Sequence, residues 1–354
     1  MAAPTKPIQI LFVGAGAVGC FYASRLHSPA QNIHVSLVCR SNYTAIASSG
    51  VHLQTHSFGN YTFTPSAVYS SIADAASKAP EGGWDYIVVT TKALPDVTDD
   101  SEDIAPLVEA GGDGKSAIVL IQNGVGVEEP HRKRFPKNPI VSAVTIISAE
   151  QISQGTVRQN RWTRISCGAY SDGLGGKTSA ALALCKRGDE AVNALVNLWK
   201  TVGDIKDAEA YSEVDLQIVR WHKICINASM NPSAVLAGGI GNSEMSLDPD
   251  LREHLKACME EVFDAAPKIL GKPFPEKLAK PELILKSTER NTGGRPSMLV
   301  DWESGRPMEL EVILGNPVRI AKRHAVEMPR LQSLYALLKS AQRQREAKKK
   351  LAKL

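Results

Sequence analysis

The sequence predicts an α/β domain with a mainly parallel, doubly wound sheet, followed by an all-α domain. Two observations lead to this fold class. In the first part of the chain, short apolar runs alternate with helical or loop segments, which is typical of a parallel sheet with helices on both faces. After about Ala208, apolar residues recur with helical spacing and no strong strand pattern remains. The predicted domains are residues 1–208 and 209–340, followed by a basic tail at residues 341–354.

The predicted strands are short apolar runs bounded by turn-forming residues. Residues 8–13 (IQILFV) and 33–39 (IHVSLVC) flank a glycine cluster and a helical stretch from about Val18 to Leu26, so the chain begins with a βαβ unit. Residues 171–177 (SDGLGGK) are predicted to form a loop. Further strands are predicted at residues 51–54, 61–64, 86–91, 117–122 and 140–147, with one or two more within 155–168.

The second domain is predicted from helical spacing alone. Its final segment, QRQREAKKKLAKL, is either a helix that runs out into solvent or a disordered tail. The long helical stretches are residues 211–230, 251–270, 308–325 and 329–350.

The composition is that of an ordinary soluble globular protein, with 43% hydrophobic and 22% charged residues in a chain of 354. No apolar run approaches the roughly 18–20 residues that cross a bilayer. The segment MAAPTKPIQI has neither a secretory nor a mitochondrial leader pattern. We therefore expect a cytoplasmic protein with no membrane partner.

The charge balance argues against nucleic acid as a partner. The net charge is +4, but residues 339–354 hold seven basic residues and one acidic residue, so the remainder carries about −2. No aromatic residues interleave with the basic run, and no nucleic-acid-binding motif accompanies it. No metal is expected either, because the six cysteines and the His, Asp and Glu residues lack ligand spacing.

The glycine cluster after the first strand, GAGAVG, matches the pattern G-x-G-x-x-G of a Rossmann-type dinucleotide site. Gly14 permits a tight turn, Gly16 lets the backbone approach a pyrophosphate, and Gly19 lets helix and strand pack closely. The helix that starts at Ala17 and Val18 presents free N–H groups to the phosphates. The alternative interpretation is a tight structural turn in an unrelated α/β fold.

The residue that ends the second strand indicates which dinucleotide is bound. NAD-specific folds usually place an acid there, which accepts from the ribose 2′-hydroxyl. This chain has Arg40 instead, within Val38-Cys39-Arg40-Ser41-Asn42. Because an arginine attracts a 2′-phosphate and can donate two hydrogen bonds to it, Arg40 favours NADPH. The alternative is a solvated surface arginine.

The densest polar cluster of the second domain is WHKICINASMNP, residues 221–232. Lys223, Asn227 and Asn231 are spaced i, i+4 and i+8, which puts them on one face of a helix. A lysine among apolar neighbours is desolvated, which lowers its pKa and suits proton transfer. The alternative is a surface lysine with two capping or packing asparagines.

Five motifs in order make the sequence similar to the ketopantoate reductase (2-dehydropantoate 2-reductase) family over nearly the whole chain. They are GAGAVG with Arg40; TTKA with Lys92; QNGVG with Asn123; Lys223 with Asn227, Asn231 and Pro232; and PSMLVD with Ser297, followed by GRPME with Glu309.

The resemblance implies a role for each matched residue. Lys223 would be the general acid that protonates the ketone oxygen while hydride arrives from NADPH. Glu309 would hold the substrate hydroxyl and help to set the charge state of the lysine. The implied substrate contacts are Asn123, Asn227, Asn231 and Ser297, and Lys92 and Asn123 would also contact the cofactor. Without the resemblance, Glu309 would be interpreted as a solvated acid on an amphipathic helix and Ser297 as an ordinary helix-start residue.

The chain departs from the family pattern in two places. The family often has an asparagine three residues before the substrate serine, whereas this chain has Gly294, so Asn291 or Arg295 would have to supply that contact. The loop predicted around residues 171–190 is also longer than compact family members need. Both departures concern the substrate more than the type of reaction.

Three functions follow from these observations. The first is NADPH-dependent reduction of 2-dehydropantoate to pantoate, a step of pantothenate synthesis, by a monomer or homodimer. The second is reduction of a different 2-keto acid by the same chemistry. The third is a dinucleotide-sensing protein without turnover, against which the presence of both Lys223 and Glu309 argues.

The C-terminal tripeptide Ala352-Lys353-Leu354 is a conservative variant of the Ser-Lys-Leu peroxisomal address. A peroxisomal location is therefore the alternative to a cytoplasmic one. The other interpretation of the same residues is a basic, frayed helix end that is not recognised by an import receptor.

Overall fold

The computed structural model describes residues 6–173, 175 and 179–352, which form two compact units. Unit 1 contains the described residues up to Lys92, together with Asp99–Gln122 and Val127–Leu216. Unit 2 contains two short segments, Ala93–Thr98 and Asn123–Gly126, and the described residues from Gln217 onward. Among the described residues, no helix is long and apolar enough to cross a membrane.

Unit 1 is built on a single sheet, to which the described residues contribute ten strands in the order β4-β3-β9-β8-β7-β6-β1-β2-β5, with β10 beside β9. All neighbouring strands are parallel except the β3–β4 and β8–β9 pairs. The strands are β1 (Ile8–Val13), β2 (Ile33–Val38), β3 (Val51–Thr55), β4 (Gly59–Phe63), β5 (Val68–Tyr69), β6 (Tyr86–Val89), β7 (Ala117–Ile121), β8 (Ile140–Ser153), β9 (Thr156–Ala169) and β10 (Ala208–Tyr211).

Both faces of the central parallel strands are apolar and covered. Successive residues of a strand point to opposite faces, so Ile10 and Phe12 enter one hydrophobic core while Leu11 and Val13 enter the other. The predicted α/β class with a mainly parallel, doubly wound sheet is therefore confirmed. The helices of unit 1 are α1 (Ala17–Ser24), α2 (Tyr43–Ser49), α3 (Ile72–Ser77), α4 (Asp100–Asp103), α5 (Ala105–Gly111), α6 (Glu128–Arg134) and α7 (Ser179–Thr201).

Helix α7 corrects the interpretation of residues 171–190 as one long loop. Only part of this stretch can be irregular, because α7 begins at Ser179. Its buried face consists of Val192, Leu195, Val196 and Trp199, which recur with helical spacing later in the segment. These apolar residues lie beyond residue 190, outside the stretch that was interpreted as a loop. Residues 174 and 176–178 of the predicted loop lie outside the described residues.

The last two strands of unit 1 were only partly predictable. β8 and β9 form a long antiparallel hairpin, whose outer half carries exposed polar residues instead of an apolar run. β10 extends the sheet beyond the predicted domain boundary at residue 208, because it pairs with β9 at Ile165–Gly168. The two units consequently divide after Leu216, within the long helix α8 (Glu213–Leu236).

Unit 2 is helical in its described residues. The predicted helix 308–325 is divided, because a π-helical turn at Glu311–Gly315 precedes a short α-helix. The remaining helices are α9 (Asn242–Leu247), α10 (Pro249–Leu270), α11 (Pro281–Thr288), α12 (Ser297–Glu303), α13 (Asn316–Arg323) and α14 (Pro329–Leu351).

The predicted basic tail begins as a packed helix. α14 continues to Leu351, Gln342 is buried and accepts a hydrogen bond from the Met308 backbone (2.9 Å), and the Arg345 guanidinium lies 4.2 Å from the centre of the Trp302 ring. Lys353 and Leu354 of the predicted peroxisomal address lie outside the described residues, so that address stays a prediction.

The glycine turn of unit 1 yields a stability prediction with a built-in control. A Cβ at position 19 would lie 2.1 Å from the Gly14 carbonyl oxygen and 2.5 Å from Thr90 Oγ1, whereas a Cβ at position 16 would meet no atom within 4 Å. We expect Gly19→Ala to lower the free energy of unfolding by about 1–3 kcal/mol and Gly16→Ala to leave it nearly unchanged. Urea unfolding measures both, and equal midpoints for the two variants would contradict the packing described.

Candidate active site

The glycine turn of unit 1 joins β1 to α1 and has the geometry of a dinucleotide loop. Gly14 has a positive φ of 112°, a conformation that favours glycine, and Thr90 Oγ1 donates a hydrogen bond to its carbonyl (2.6 Å). Gly19 packs so closely on Gly14 and Thr90 that no side chain fits. Close packing thus explains two of the three motif glycines.

Gly16 differs from the other two glycines because the space above its Cα is open. It is the N-cap of α1, where no side chain caps the helix and the first turn contains no acidic residue. The first N–H groups of the helix, at Ala17 and Val18, have no intrahelical acceptor, as in any α-helix. An open glycine at an uncapped helix start fits the pyrophosphate of a dinucleotide.

Arg40 follows β2 and its side chain is exposed, and among the described residues it has no ion-pair partner. Two residues later, Asn42 is buried and holds the glycine turn. Its Nδ2 donates to the Ala15 carbonyl (2.7 Å) and to Gln151 Oε1 (3.0 Å), and its Oδ1 accepts from Gln151 Nε2 (2.9 Å). In the sequence, Asn42 was noted only as a neighbour of Arg40 after the second strand.

The carboxyl ends of β6 and β7 carry the other predicted cofactor residue. Lys92 is exposed and is the last residue of unit 1 before the segment 93–98. Nearby in the fold, the buried Gln122 donates to the Thr91 carbonyl (3.0 Å) and to Asp100 Oδ2 (2.6 Å). Burial raises the pKa of Asp100, although the hydrogen bond from Gln122 opposes the shift.

Unit 2 brings together three of the predicted residues that are far apart in sequence. Lys223 Nζ donates to Asn123 Oδ1 (2.8 Å), and Asn123 Nδ2 donates to Glu309 Oε2 (3.1 Å). The other carboxylate oxygen of Glu309 accepts from the Ala93 backbone N–H (3.3 Å). The single amide of Asn123 therefore links a cation to an anion through one donor and one acceptor.

The environment of Lys223 weakens its hold on the proton. Burial is the largest cause and the positive charge of Arg220 adds to it, so that the pKa of Lys223 is lowered to about 8, although Glu309 acts to raise it. Arg220 lies one turn earlier on α8, is buried, and donates to the Gly124 carbonyl (2.9 Å). Sequence analysis missed this residue, although its i−3 spacing to Lys223 was visible.

The predicted face of α8 continues beyond Lys223. Asn227 is half-buried and Asn231 is buried, and within the described part of the chain neither side chain forms a hydrogen bond. Ile224, Cys225 and Met230 flank this polar stripe and are buried. The two amides are thus held by the helix and keep their donors and acceptors for a ligand.

Ser297 is the first residue of α12, and its side chain is exposed and has no hydrogen bond to Lys223, Asn123 or Glu309. Gly294, where the chain departs from the family pattern, and its neighbour Arg295 both have partners within the protein. The Gly294 carbonyl accepts from the Asn242 backbone (3.1 Å), and Arg295 forms an exposed ion pair with Glu303. In this structure Arg295 thus donates to Glu303 at the protein surface.

The arrangement in unit 2 is suited to proton transfer to an oxygen. An ammonium group with a pKa near neutrality gives up its proton readily, and it stabilises negative charge while it holds the proton. Asn123 and Glu309 restrict where that ammonium group lies, and Asn227 and Asn231 offer hydrogen bonds along the same helix face. A carbonyl compound with further polar groups fits this set of donors and acceptors.

Comparison with known proteins gives matches over most of the chain. Residues 10–172 match the family model described as ketopantoate reductase PanE/ApbA, and residues 215–342 match that described as ketopantoate reductase PanE/ApbA C terminal. An uncharacterized protein of Saccharomyces cerevisiae is 33% identical to this chain, with 98% of this chain and 96% of that protein aligned. These matches confirm the resemblance that the five motifs predicted.

Two further relatives carry the name of an enzyme. The 2-dehydropantoate 2-reductase of a Nostoc species is 25% identical, with 92% of this chain and 93% of that protein aligned. The crystal structure of 2-dehydropantoate 2-reductase from Methylococcus capsulatus superposes with a TM-score of 0.76 at 29% identity, covering 95% of this chain and 97% of that one.

The lowered pKa of Lys223 can be measured without any ligand. In an NMR titration with labelled lysine, we expect Lys223 to lose its proton near pH 8, against about 10.4 for an unperturbed lysine. Glu309→Gln should lower this pKa further, because the carboxylate raises it. Glu303→Gln, which removes an exposed acid paired with Arg295, is the matched control and should leave it unchanged. A Lys223 that titrates above pH 10 would contradict the account.

Proposed function

Because this chain belongs to the ketopantoate reductase PanE/ApbA family, we propose that it reduces 2-dehydropantoate to pantoate with NADPH. The observation that carries the proposal is the hydrogen-bonded series Lys223–Asn123–Glu309, in which the lysine has a pKa of about 8. The proposed substrate is a small molecule, and the proposed active form is a monomer or a homodimer.

The proposed cofactor is NADPH, held by unit 1. Gly14, Gly16 and Gly19, with the helix start at Ala17 and Val18, would hold its pyrophosphate. Support comes from the open space at Gly16 and the uncapped start of α1. When bound, NADPH supplies a hydride to the carbonyl carbon of the substrate.

Selectivity for NADPH is proposed to come from Arg40. Its side chain is exposed at the end of β2, where a 2′-phosphate would replace solvent with charge-assisted hydrogen bonds. No acid follows β2 directly, so nothing at that strand end would repel the phosphate. On the family resemblance, Lys92 and Asn123 are proposed as additional cofactor contacts.

Lys223 is the proposed general acid. Its ammonium group would stabilise the negative charge that develops on the substrate oxygen and would then transfer its proton to that oxygen. Asn123 would orient the ammonium group through the 2.8 Å hydrogen bond. Above about pH 8 the amine has lost its proton, so the proposed reduction becomes slower as the pH rises.

The remaining residues are proposed to bind the substrate. Glu309 would accept a hydrogen bond from the substrate hydroxyl and counter the charge of Lys223. Asn227 and Asn231 have amides that are not engaged with other described residues, and they would bind the carboxylate or hydroxyl groups. Ser297 is exposed at the start of α12 and is the proposed contact at the other end of the substrate.

A second candidate function is reduction of a different 2-keto acid. It is favoured by Gly294, which stands where the family often has an asparagine, and by the engagement of Arg295 with Glu303. The amide that the family pattern often places at this position is absent. A site that lacks one hydrogen bond discriminates less strongly between related substrates.

An NADPH-oxidation assay with 2-dehydropantoate and a panel of other 2-keto acids tests the proposal. We expect the highest kcat/KM with 2-dehydropantoate, and faster turnover with NADPH than with NADH. Arg40→Ala should weaken NADPH binding by about 10- to 100-fold and leave NADH binding nearly unchanged. A better keto acid in the panel would favour the second candidate, whereas tight NADPH binding without turnover of any keto acid would refute both.

A further inference from the structure

The two short segments of unit 2 that precede α8 hold Glu309 from both sides. Segment 93–98 provides the Ala93 N–H, and segment 123–126 provides the Asn123 amide that also contacts Lys223. The geometry around Lys223 therefore depends on what keeps these two segments in place. Their own length is too short for internal packing to do so.

The π-helical turn at Glu311–Gly315 provides an attachment point for segment 123–126. In this turn the Asn316 N–H donates to the Glu311 carbonyl, one residue farther back than in an α-helix. The next residue is Pro317, which has no N–H to donate. The Val312 carbonyl consequently has no donor within its own helix, and it accepts from the Val125 N–H instead (3.0 Å).

Three further contacts hold the same segment. Asn316 Nδ2 donates to the Val125 carbonyl (2.8 Å), and Arg220 donates to the Gly124 carbonyl (2.9 Å). Gly124 has a φ of 95°, and a Cβ there would lie 2.4 Å from Val312 Cβ. The segment therefore approaches the π turn as closely as backbone allows, and only glycine fits.

The same turn holds segment 93–98 through a buried charge. Glu311 accepts hydrogen bonds from Tyr335 Oη (2.6 Å), Arg319 Nη2 (2.6 Å) and Lys339 Nζ. Lys339 also donates to Asp96 Oδ2 (3.1 Å). Burial acts to raise the pKa of Glu311, but these donors outweigh it and lower the pKa to about 2, so the carboxylate stays charged at neutral pH.

We propose that the π turn at 311–315 positions the catalytic groups, with Asn316 and Lys339 as its positioning residues. Asn316 and the Val312 carbonyl, which accepts from Val125, fix segment 123–126 and hence Asn123. Lys339, bound to Glu311 and Asp96, fixes segment 93–98 and hence the Ala93 N–H on Glu309. The effect on catalysis rests on the proposed function, whereas the effect on the geometry does not.

The π-helical register determines which N–H group the Val312 carbonyl accepts. An α-helical register would pair the Val312 carbonyl with the Asn316 N–H, which would then compete with the Val125 N–H for the same acceptor. π turns are energetically costly and occur frequently at functional sites. Pro317 favours the π register, because it has no N–H that could compete with the Val125 N–H for the Val312 carbonyl.

Hydrogen exchange on the ligand-free protein tests the proposal directly. Asn316→Asp keeps the acceptor for Arg319 but loses the donor to Val125, and we expect the Val125 amide to exchange about 10-fold faster. Lys339→Met should have the same effect on the Ala93 amide. Pro317→Ala tests the same contact independently. It restores an N–H that can donate to the Val312 carbonyl in competition with Val125, so we expect faster exchange of the Val125 amide in this variant as well.

The charge state of Lys223 and the kinetics provide the second readout. In Pro317→Ala, which adds no charge, we expect the pKa of Lys223 to fall, because the displaced Asn123 no longer accepts from the ammonium group while Arg220 still acts to lower the pKa. We also expect kcat to fall by about 10- to 100-fold with the KM for NADPH unchanged. Conservative replacement of Lys339 by arginine should restore exchange protection at Ala93.

Arg252→Met is the control for a general loss of stability, because it removes ion pairs with Glu282 and Glu289 and touches neither segment. It should lower Tm and leave the Val125 exchange rate and the Lys223 pKa unchanged. Variants at 316, 317 and 339 that behave like Arg252→Met would overturn the proposal. Absence of any keto acid reduction would instead refute the proposed function, and the exchange rates would still decide the positioning role.

Discussion

The hydrogen bonds of the Asn123 amide to Lys223 and to Glu309 are the constraint on which the rest of unit 2 depends. They hold a cation and an anion in a partly dehydrated position, and each charge is tolerable there because the other lies one amide away. The lysine therefore keeps a proton that it can lose near pH 8, which is the range in which a general acid is most effective.

Most of the packing around this amide holds backbone in place. Val312, Asn316 and Arg220 bind the Gly124 carbonyl and the N–H and carbonyl of Val125, and the ion pair of Lys339 with Glu311 reaches segment 93–98. In unit 1, Asn42 and Thr90 do the same for the glycine turn. In both units, buried and half-buried polar side chains fix the short loops of the site, which is a general way to preorganise a site on short segments.

The periodicity of the sequence determined how much of the fold and of the candidate site could be predicted. The glycine turn, the strands of the parallel sheet and the shared face of Lys223, Asn227 and Asn231 follow from repeats of two or 3.6 residues, and the structure contains each of them. Asn123 and Glu309 came from the family resemblance, since no local pattern connects residues that far apart. Asn42, Arg220 and the π turn were missed, because their partners are backbone atoms of distant segments. Two local signals were present, namely the i−3 spacing of Arg220 to Lys223 and Pro317 inside a predicted helix.

Rescue by added amines of a variant that lacks only Lys223 tests whether this lysine is the general acid. In Lys223→Ala, we expect near-complete loss of kcat with intact NADPH binding. Turnover should recover as methylammonium or ethylammonium is added, and the same amines should have no such effect on the unaltered protein. Recovery should decline as the pH exceeds the pKa of the added amine. Turnover in Lys223→Ala that equals that of the unaltered protein, without any added amine, would contradict Lys223 as the acid.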